Sequence, residues 1–420
     1  MKSIREKRGI TLIALAVTIV VILILAGVTI DAVFSENGII NKAKEAANSM
    51  NNAVANDQAE LNDLLEELNE IMNSEWESNI EIPDPEPEEP PKLEETTGIQ
   101  DETVTVEDEY GNKVTIPKGF EVVEEEGTTV PEGIVIQDKD GNQFVWIPVG
   151  RVYKDNTGTN YSDIQLGRYT FDTNNGTPTP VQLAYTEESP ENYKQLVTID
   201  SYYQEYATRS NPDGNTYLNT IAKDLGKFVD SVRNNGGYYL ARYEASYGSG
   251  SSVADYKPFS KVSIGTIRTD SSATLTQGTL WNCVSQIDAA KISRNMYNND
   301  SNVGVESDLA NSYAWDTAIV FIQEMGNTNY ANNKQCVQDS ISNTGTLGDE
   351  VCNVNDMATN CYDWTTEYSF NGENNCVFRG GSPFILGGTN TAHRNSWNNQ
   401  NTNTHSFVGF RVILYLKISS

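Results

Sequence analysis

The sequence predicts an α+β fold with much irregular structure, and three observations carry that prediction. Two pairs of short period-two segments are each joined by a turn containing Gly and Asn. Three longer segments repeat apolar residues at three- and four-residue spacing. The stretches between them are rich in Asn, Gly, Ser and Thr, which make turns and loops more readily than cores. The chain has 420 residues, of which 38% are hydrophobic and 21% charged, enough for two or three domains with packed cores. Its formal charge is −29. Between Asp57 and Glu126 stand 24 acids and three lysines, a net of −21, which leaves about −8 for the rest. The acidity belongs to a stalk rather than to the folded body. Such a balance excludes a nucleic-acid phosphate binder, which needs clustered cations.

The amino terminus comes first. Residues 10–30 are an apolar run without a charge; as a helix it spans roughly 31 Å, enough for a bilayer core. Lys2, Arg5, Lys7 and Arg8 precede it, so these residues stay in the cytoplasm and everything after Asp31 faces outward. A cleavable secretory signal has a shorter apolar region. From 31 to 78 the apolar residues, among them Ile39, Ala43, Leu61, Leu65, Leu68 and Met72, recur at helical spacing with acids on the other faces. This narrow stripe predicts a helical stalk that self-associates or packs on the next domain, or else stands alone in solvent. Pro83, Pro85, Pro87, Pro90 and Pro91 follow among acids, and 79–100 is expected to be an extended linker marking the domain boundary.

The body begins with a small hairpin segment at 101–118. Thr103–Val106 and Lys113–Ile116 alternate polar and apolar around Tyr110-Gly111-Asn112. A second pair, Gly133–Ile136 and Gln143–Ile147, is joined by the strong turn Asp138–Asn142. Residues 151–200 read as loops with short strands. Helices are predicted from Tyr217 to Val232, from a cap at Ser285 with Asp288 to about Tyr297, and from Asn311 to Met325 with Trp315, Ile319 and Ile322 on one face. Five cysteines, Cys283, Cys336, Cys352, Cys361 and Cys376, lack zinc spacing; they are free thiols, or one or two disulfides in an oxidising compartment.

Two resemblances sit on particular residues. Lys7-Arg8-Gly9-Ile10-Thr11-Leu12 resembles the prepilin motif of type IV pilins and pseudopilins. That resemblance implies cleavage after Gly9, methylation of Ile10 and a bacterial envelope location. Ala14 stands where the family has a glutamate that pairs with a neighbour's amine, so the resemblance extends to the anchor and leaves polymerisation open. Further on, Asp356-Met357-Ala358-Thr359-Asn360-Cys361-Tyr362-Asp363-Trp364-Thr365 resembles a segment of the formylglycine-generating-enzyme (sulfatase-modifying factor) family. Arg379-Gly380-Gly381-Ser382 and Gly409-Phe410-Arg411 match two more of its motifs. Phe144–Gly150 and Leu240–Ala245 resemble its opening strands. The resemblance covers about 120–415 and implies a C-type-lectin-like domain over 119–420, with Trp364, Arg379, Gly380, Gly381, Gly409, Phe410 and Arg411 as scaffold.

The same resemblance bears on chemistry. The family's oxidase holds copper on two cysteines downstream of its R-G-G-S motif, and here no cysteine follows Cys376. Soft thiolates are what Cu(I) requires, so no copper and no oxidase activity are expected. The first segment resembles a calcium loop in which Asp356 and Asp363 would supply carboxylates and Thr359 and Cys361 backbone carbonyls. The stretch from Thr389 to Phe407 is the most informative. It carries Asn390, His393, Arg394, Asn395, Trp397, Asn398, Asn399, Asn401, Asn403 and His405, short polar and aromatic groups typical of adaptable recognition surfaces. Its position resembles the variable region of diversity-generating-retroelement target proteins. The expectation is a membrane-anchored bacterial surface protein that binds an extracellular protein or glycan through this loop. A formylglycine-type copper oxidase and a pilin subunit are the alternatives.

Overall fold

Asp108 and Asp138 each open a turn of the form D-x-x-G-N, and the two turns are built alike. Asp108 Oδ1 accepts from the Tyr110 and Asn112 amides at 2.9 and 2.8 Å, and Oδ2 from Asn112 Nδ2 at 3.0 Å. Asp138 repeats the pattern with Asp140 and Asn142 at 2.9, 2.8 and 2.8 Å. The short carboxylate mimics a backbone turn, and glycine supplies the positive φ (84° at Gly111, 78° at Gly141). Both turns then dock: the Tyr153 amide donates to Asn112 Oδ1, and the Ser260 amide to Asn142 Oδ1.

The computed structural model describes residues 90–207, 224–334, 340–371, 374–382, 389–397 and 405–417. Gly9, Ile10, the apolar run at 10–30 and the stalk at 31–78 lie outside them. Among the described residues no helix is long and apolar enough to cross a membrane. The chain from Glu89 onward forms one compact unit.

The architecture is α+β, rich in curled sheet and poor in helix. The early strands are β1 (Val104–Glu107), β2 (Lys113–Ile116), β3 (Phe120–Val122), β4 (Val135–Asp138), β5 (Gln143–Pro148), β6 (Gly150–Tyr153) and β7 (Tyr161–Ile164). Next come β8 (Gly167–Phe171), β9 (Pro178–Leu183), β10 (Tyr203–Gln204), β11 (Gly237–Ala241), β12 (Ser246–Ser249), β13 (Lys257–Phe259) and β14 (Val305–Leu309). The last are β15 (Tyr362–Asn371), β16 (Asn374–Arg379), β17 (Arg394–Trp397), β18 (Val408–Phe410) and β19 (Val412–Leu416). A six-stranded antiparallel sheet runs β14-β19-β11-β5-β4-β3. It curls until its edges approach, where the Gly304 amide donates to Lys118 O at 2.9 Å. A second sheet runs β10-β15-β16-β17, with β18 parallel to β15.

Three helices pack on these sheets: α1 (Leu225–Asn235), α2 (Gln286–Asn295) and α3 (Ser312–Glu324). Each starts on a side-chain cap that satisfies an otherwise orphaned amide: Asp224 for Lys227, Ser285 for Asp288 and Asn311 for Ala314. Helix α1 buries Leu225, Phe228, Val229 and Val232, as its spacing predicts, and stops at Gly236 in the left-handed region. The predicted residues 217–223 lie outside the described set. Helix α3 differs from expectation: not one face but every residue from Ser312 to Ile322 is buried, because strands and loops cover it on all sides. The two period-two pairs form the hairpins β1–β2 and β4–β5.

The linker expectation needs correction at its end. Leu93 is 2% exposed within the main core, Lys92 bridges to Glu107, and the Gln100 amide donates to Phe120 O. Past Pro91 an apolar anchor and free backbone donors are available again, so 92–100 dock instead of spanning. Val106, Val114 and Ile116 of the first hairpin belong to that same core.

The R-G-G-S segment explains its own glycines. A Cβ on Gly381 would stand 1.9 Å from Ala358 O, and one on Gly380, at φ 90°, 2.9 Å from Met357 O. The backbone crosses directly over 357–359, where the Gly381 amide donates to Met357 O at 3.1 Å. Gly381→Ala is therefore expected to cost about 3 kcal/mol or more in chemical denaturation, since backbone and not a flexible side chain must move. Gly141→Ala, with φ 78° but only the flexible end of Lys261 at 3.9 Å, should cost only about 1–2 kcal/mol.

Candidate functional site

Under the loop at 389–405 five buried charges meet. Arg379 Nη1 lies 3.3 Å from Glu367 Oε2, and its Nη2 pairs with Asp316 Oδ1. Arg394 Nη2 lies 2.8 Å from Asp316 Oδ2 and its Nε 3.0 Å from Glu367 Oε1. Arg168 Nη2 approaches Glu367 Oε1 at 3.4 Å. The side chains are 0–5% exposed and come from β8, α3, β15, β16 and β17. Burial alone would raise the Glu367 carboxyl, but Arg394, Arg379 and Arg168 outweigh it and bring it down to about 2. Glu205 lies beside them with no arginine in contact; it accepts from the Ser312 amide at 2.9 Å and from the Ser312 and Thr366 hydroxyls. Burial and the Glu367 charge push it up to about 7.

This network moves two expected rim residues inward. The Arg394 side chain is 5% exposed and spends its guanidinium on Asp316 and Glu367, so it holds the platform and does not face a ligand. The His393 ring packs on Tyr362 at 5.7 Å and on Phe378 at 6.2 Å, and its Nε2 is buried without a partner. Burial and Arg379 hold its imidazole down to about 4, so it is neutral near pH 7. Asn390, Asn395, Trp397 and His405 are, like His393, half-buried. Trp397 and His405 stack with centroids 3.6 Å apart and close the two ends of the loop on each other. Asn398, Asn399, Asn401 and Asn403 lie outside the described residues.

Both ends of the loop are tied down. On the near side Trp315 Nε1 donates to Thr391 O at 3.1 Å, and the Ala392 amide to Ala331 O at 3.0 Å. On the far side Asn282 Nδ2 donates to Ser406 O at 2.7 Å, and the Cys283 amide to His405 O at 3.2 Å. Trp364 Nε1 reaches Val284 O at 2.8 Å, which ties β15 to the start of α2. Phe410 packs edge-on against Trp281, and Gly409 sits beside Cys361.

The segment that resembles a calcium loop is crowded with acids. Asp356 Oδ2 accepts from Thr344 Oγ1 and the Gly345 amide, and Thr359 donates its hydroxyl to Asp349. The Cys361 amide and Asn360 Nδ2 both donate to Glu244. Asp363 pairs with Arg411 at 3.2 Å, and Arg411 also caps Ala241 O and Asn355 O. Burial, then neighbouring acids, raise Glu244 well above the carboxylate range and Asp356 to about 7; burial, against Arg411, raises Asp363 to about 6. Asp356 Oδ1 and Asp363 Oδ1 are buried without a partner. Yet among the described residues no group of three or more His, Cys, Asp or Glu could hold a metal ion. A buried guanidinium already occupies the cation's place at Asp363.

Among the described cysteines, Cys283, Cys352 and Cys361 are free thiols. Burial pushes Cys283 up to about 11, Cys352 to about 12 and Cys361 well above its ordinary value, the opposite of what a thiolate ligand needs. Comparison with family models, curated proteins and solved structures gives no match.

Sequence reasoning missed Arg168, Glu205, Asp316 and Glu367. One signal was present: Asp316 is the only charge among the residues from Ser312 to Ile322, and a lone acid on so apolar a helix requires a buried partner. Glu367→Gln should destabilise the chain by about 3–5 kcal/mol in urea, because Arg168 then loses its carboxylate and Arg379 and Arg394 keep only Asp316. The pH profile has a definite shape. Glu205 binds its proton more tightly when folded, so its contribution is complete below about pH 4.5 and is lost as pH rises through about 7. Glu367 is shifted the other way, so its contribution is lost as pH falls from about 4.5 through about 2. Thermal unfolding followed by circular dichroism should lose stability on both limbs, with His393, held down to about 4, opposing Glu205 between about pH 6.5 and 4. Glu205→Gln should flatten the neutral side of that curve by up to about 3 kcal/mol and leave the acid side unchanged.

Proposed function

We propose that the chain is a membrane-anchored surface protein of a bacterial envelope whose head binds an extracellular partner through the face around residues 389–405. The observation that carries this reading is the division of labour at the loop. Its ends are clamped to a buried ionic platform and to each other by the Trp397–His405 stack, while the half-buried Asn390, Asn395 and Trp397 stand at the rim. A rigid scaffold presenting variable polar and aromatic groups is the physical requirement for a recognition loop. The C-type-lectin-like reading of the fold is supported by where the motif segments lie. Phe144 to Pro148 lie on β5 and Leu240 and Ala241 on its partner β11, and Gly409 and Phe410 lie beside β15. The apolar run at 10–30 and the basic residues before it supply the anchor and its orientation.

Trp397→Ala in the full chain should lower stability by no more than about 2 kcal/mol, yet reduce attachment of cells displaying it at least tenfold, as loss of a buried aromatic anchor does. Unchanged attachment after replacement of Trp397, Asn390 and Asn395 together would sink the reading. So would oxygen consumption by the purified chain given copper and a cysteine-containing sulfatase peptide. If the loop is diversified, the genome carries a near-copy of the 389–405 coding region that differs at adenines, next to a reverse transcriptase gene.

A further inference from the structure

Beside the far end of the loop lies a cleft of ≈480 Å³. That volume falls within the range of small-molecule sites, about 300–1,000 Å³. The cleft is joined to the loop through the backbone, because Cys283 in its wall donates to His405 O and the adjoining Asn282 to Ser406 O. One wall is aromatic. Tyr247, Tyr256 and Trp281 pack edge to face, with centroids 5.2–5.8 Å apart. Trp281 is buried, whereas Tyr247 and Tyr256 keep part of their rings exposed.

The other side is polar. Arg268 is 6% exposed; its terminal nitrogens donate to Asn282 O at 3.1 Å and Ser271 O at 3.2 Å, and its Nε is buried without a partner. Asp288, on the first turn of α2, has a carboxylate that no described residue engages. Thr274 adds a hydroxyl that both donates and accepts. Arg268 and Asp288 cancel, so the cleft carries no net charge from its lining. An anionic ligand would meet Asp288, and a cationic one would meet Arg268.

We propose that this cleft is a subsite for one neutral sugar ring. A pyranose has an apolar C–H face, which suits a partly exposed tyrosine ring, and a girdle of hydroxyls that need acceptors and donors around it. Tyr256 supplies the face, the free Asp288 carboxylate accepts from hydroxyls, and Thr274 serves either role. The position makes the subsite part of the same recognition surface: it rests on the loop-face reading for its partner, a glycan whose one ring is held here while the rim of the loop reads what lies beyond.

The test is saturation-transfer NMR on the full chain with methyl α-mannoside, methyl β-galactoside and methyl N-acetyl-β-glucosaminide, at concentrations of about 10 mM suited to weak binding. At least one of these should receive transfer, and Tyr256→Ala should weaken it about tenfold or more, a larger loss than Trp397→Ala gives. Asp288→Asn keeps the helix and removes a purely accepting group, so it decides the matter if Tyr256→Ala does not fold; it should also weaken the signal tenfold. No transfer to any of the three, or transfer indifferent to both substitutions, overturns the subsite. Transfer lost with Trp397→Ala alone places the sugar on the loop and also overturns it. Cell attachment that depends on Trp397 while no glycoside binds would leave the loop-face reading standing and remove this one.

Discussion

Everything on the functional side of the molecule depends on the charges buried between Arg168, Asp316, Glu367, Arg379 and Arg394. Placing a guanidinium in a dry interior costs several kcal/mol, and mutual attraction offsets that cost only when geometry and hydrogen bonds are complete. Such a network is therefore a poor source of net stability and a strict selector of arrangement. Its five members come from five elements, β8, α3 and the neighbouring β15, β16 and β17, and each is committed to at least one partner of opposite charge. A register slip in β16 or β17 would strand an arginine without its carboxylate. The two strands that lead to and from the R-G-G-S segment are thereby fixed relative to α3.

A second constraint comes from close approach. The Gly380-Gly381 pair lets the chain pass directly over the backbone of Met357 to Thr359, which no side chain would permit. That crossing brings the end of β16 against the start of β15, where Arg411 holds Asp363 and two backbone carbonyls. The two buried arginine centres thus grip β15 at its start and its middle, Arg411 at Asp363 and Arg379 with Arg394 at Glu367. The strand between them is the common beam of the platform.

The local grammar of the fold was legible in the sequence. The D-x-x-G-N turns, the side-chain caps at Ser285 and Asn311 and the alternation in β1, β2, β4 and β5 all rest on interactions within a few residues. What was not legible rests on contacts between distant segments. Helix α3 reads as amphipathic, but it is enclosed on every side. The stretch after Pro91 reads as linker because its short apolar content gives no sign of the core that Leu93 enters. His393 and Arg394 look like members of a polar loop, since their neighbours are asparagines and nothing nearby in sequence reveals Asp316 or Glu367. The cleft formed by Tyr247, Tyr256, Arg268 and Trp281 was invisible for the same reason, its walls being assembled from β12, a long loop and the entry to α2.

The alternation of β17 resolves an apparent conflict in that loop. A strand sends successive side chains to opposite sides. Arg394 and Ser396 turn toward the interior, at 5% side-chain and 8% residue exposure, while Asn395 and Trp397 stay half-buried toward the rim. Alternate residues of one short segment thus face the buried platform and the outer side. Change at the rim positions leaves the guanidinium of Arg394 on its carboxylates. Change at the inward positions dismantles the platform before any ligand is met. A four-residue edge strand anchored through its first residue is enough to keep the two sets apart.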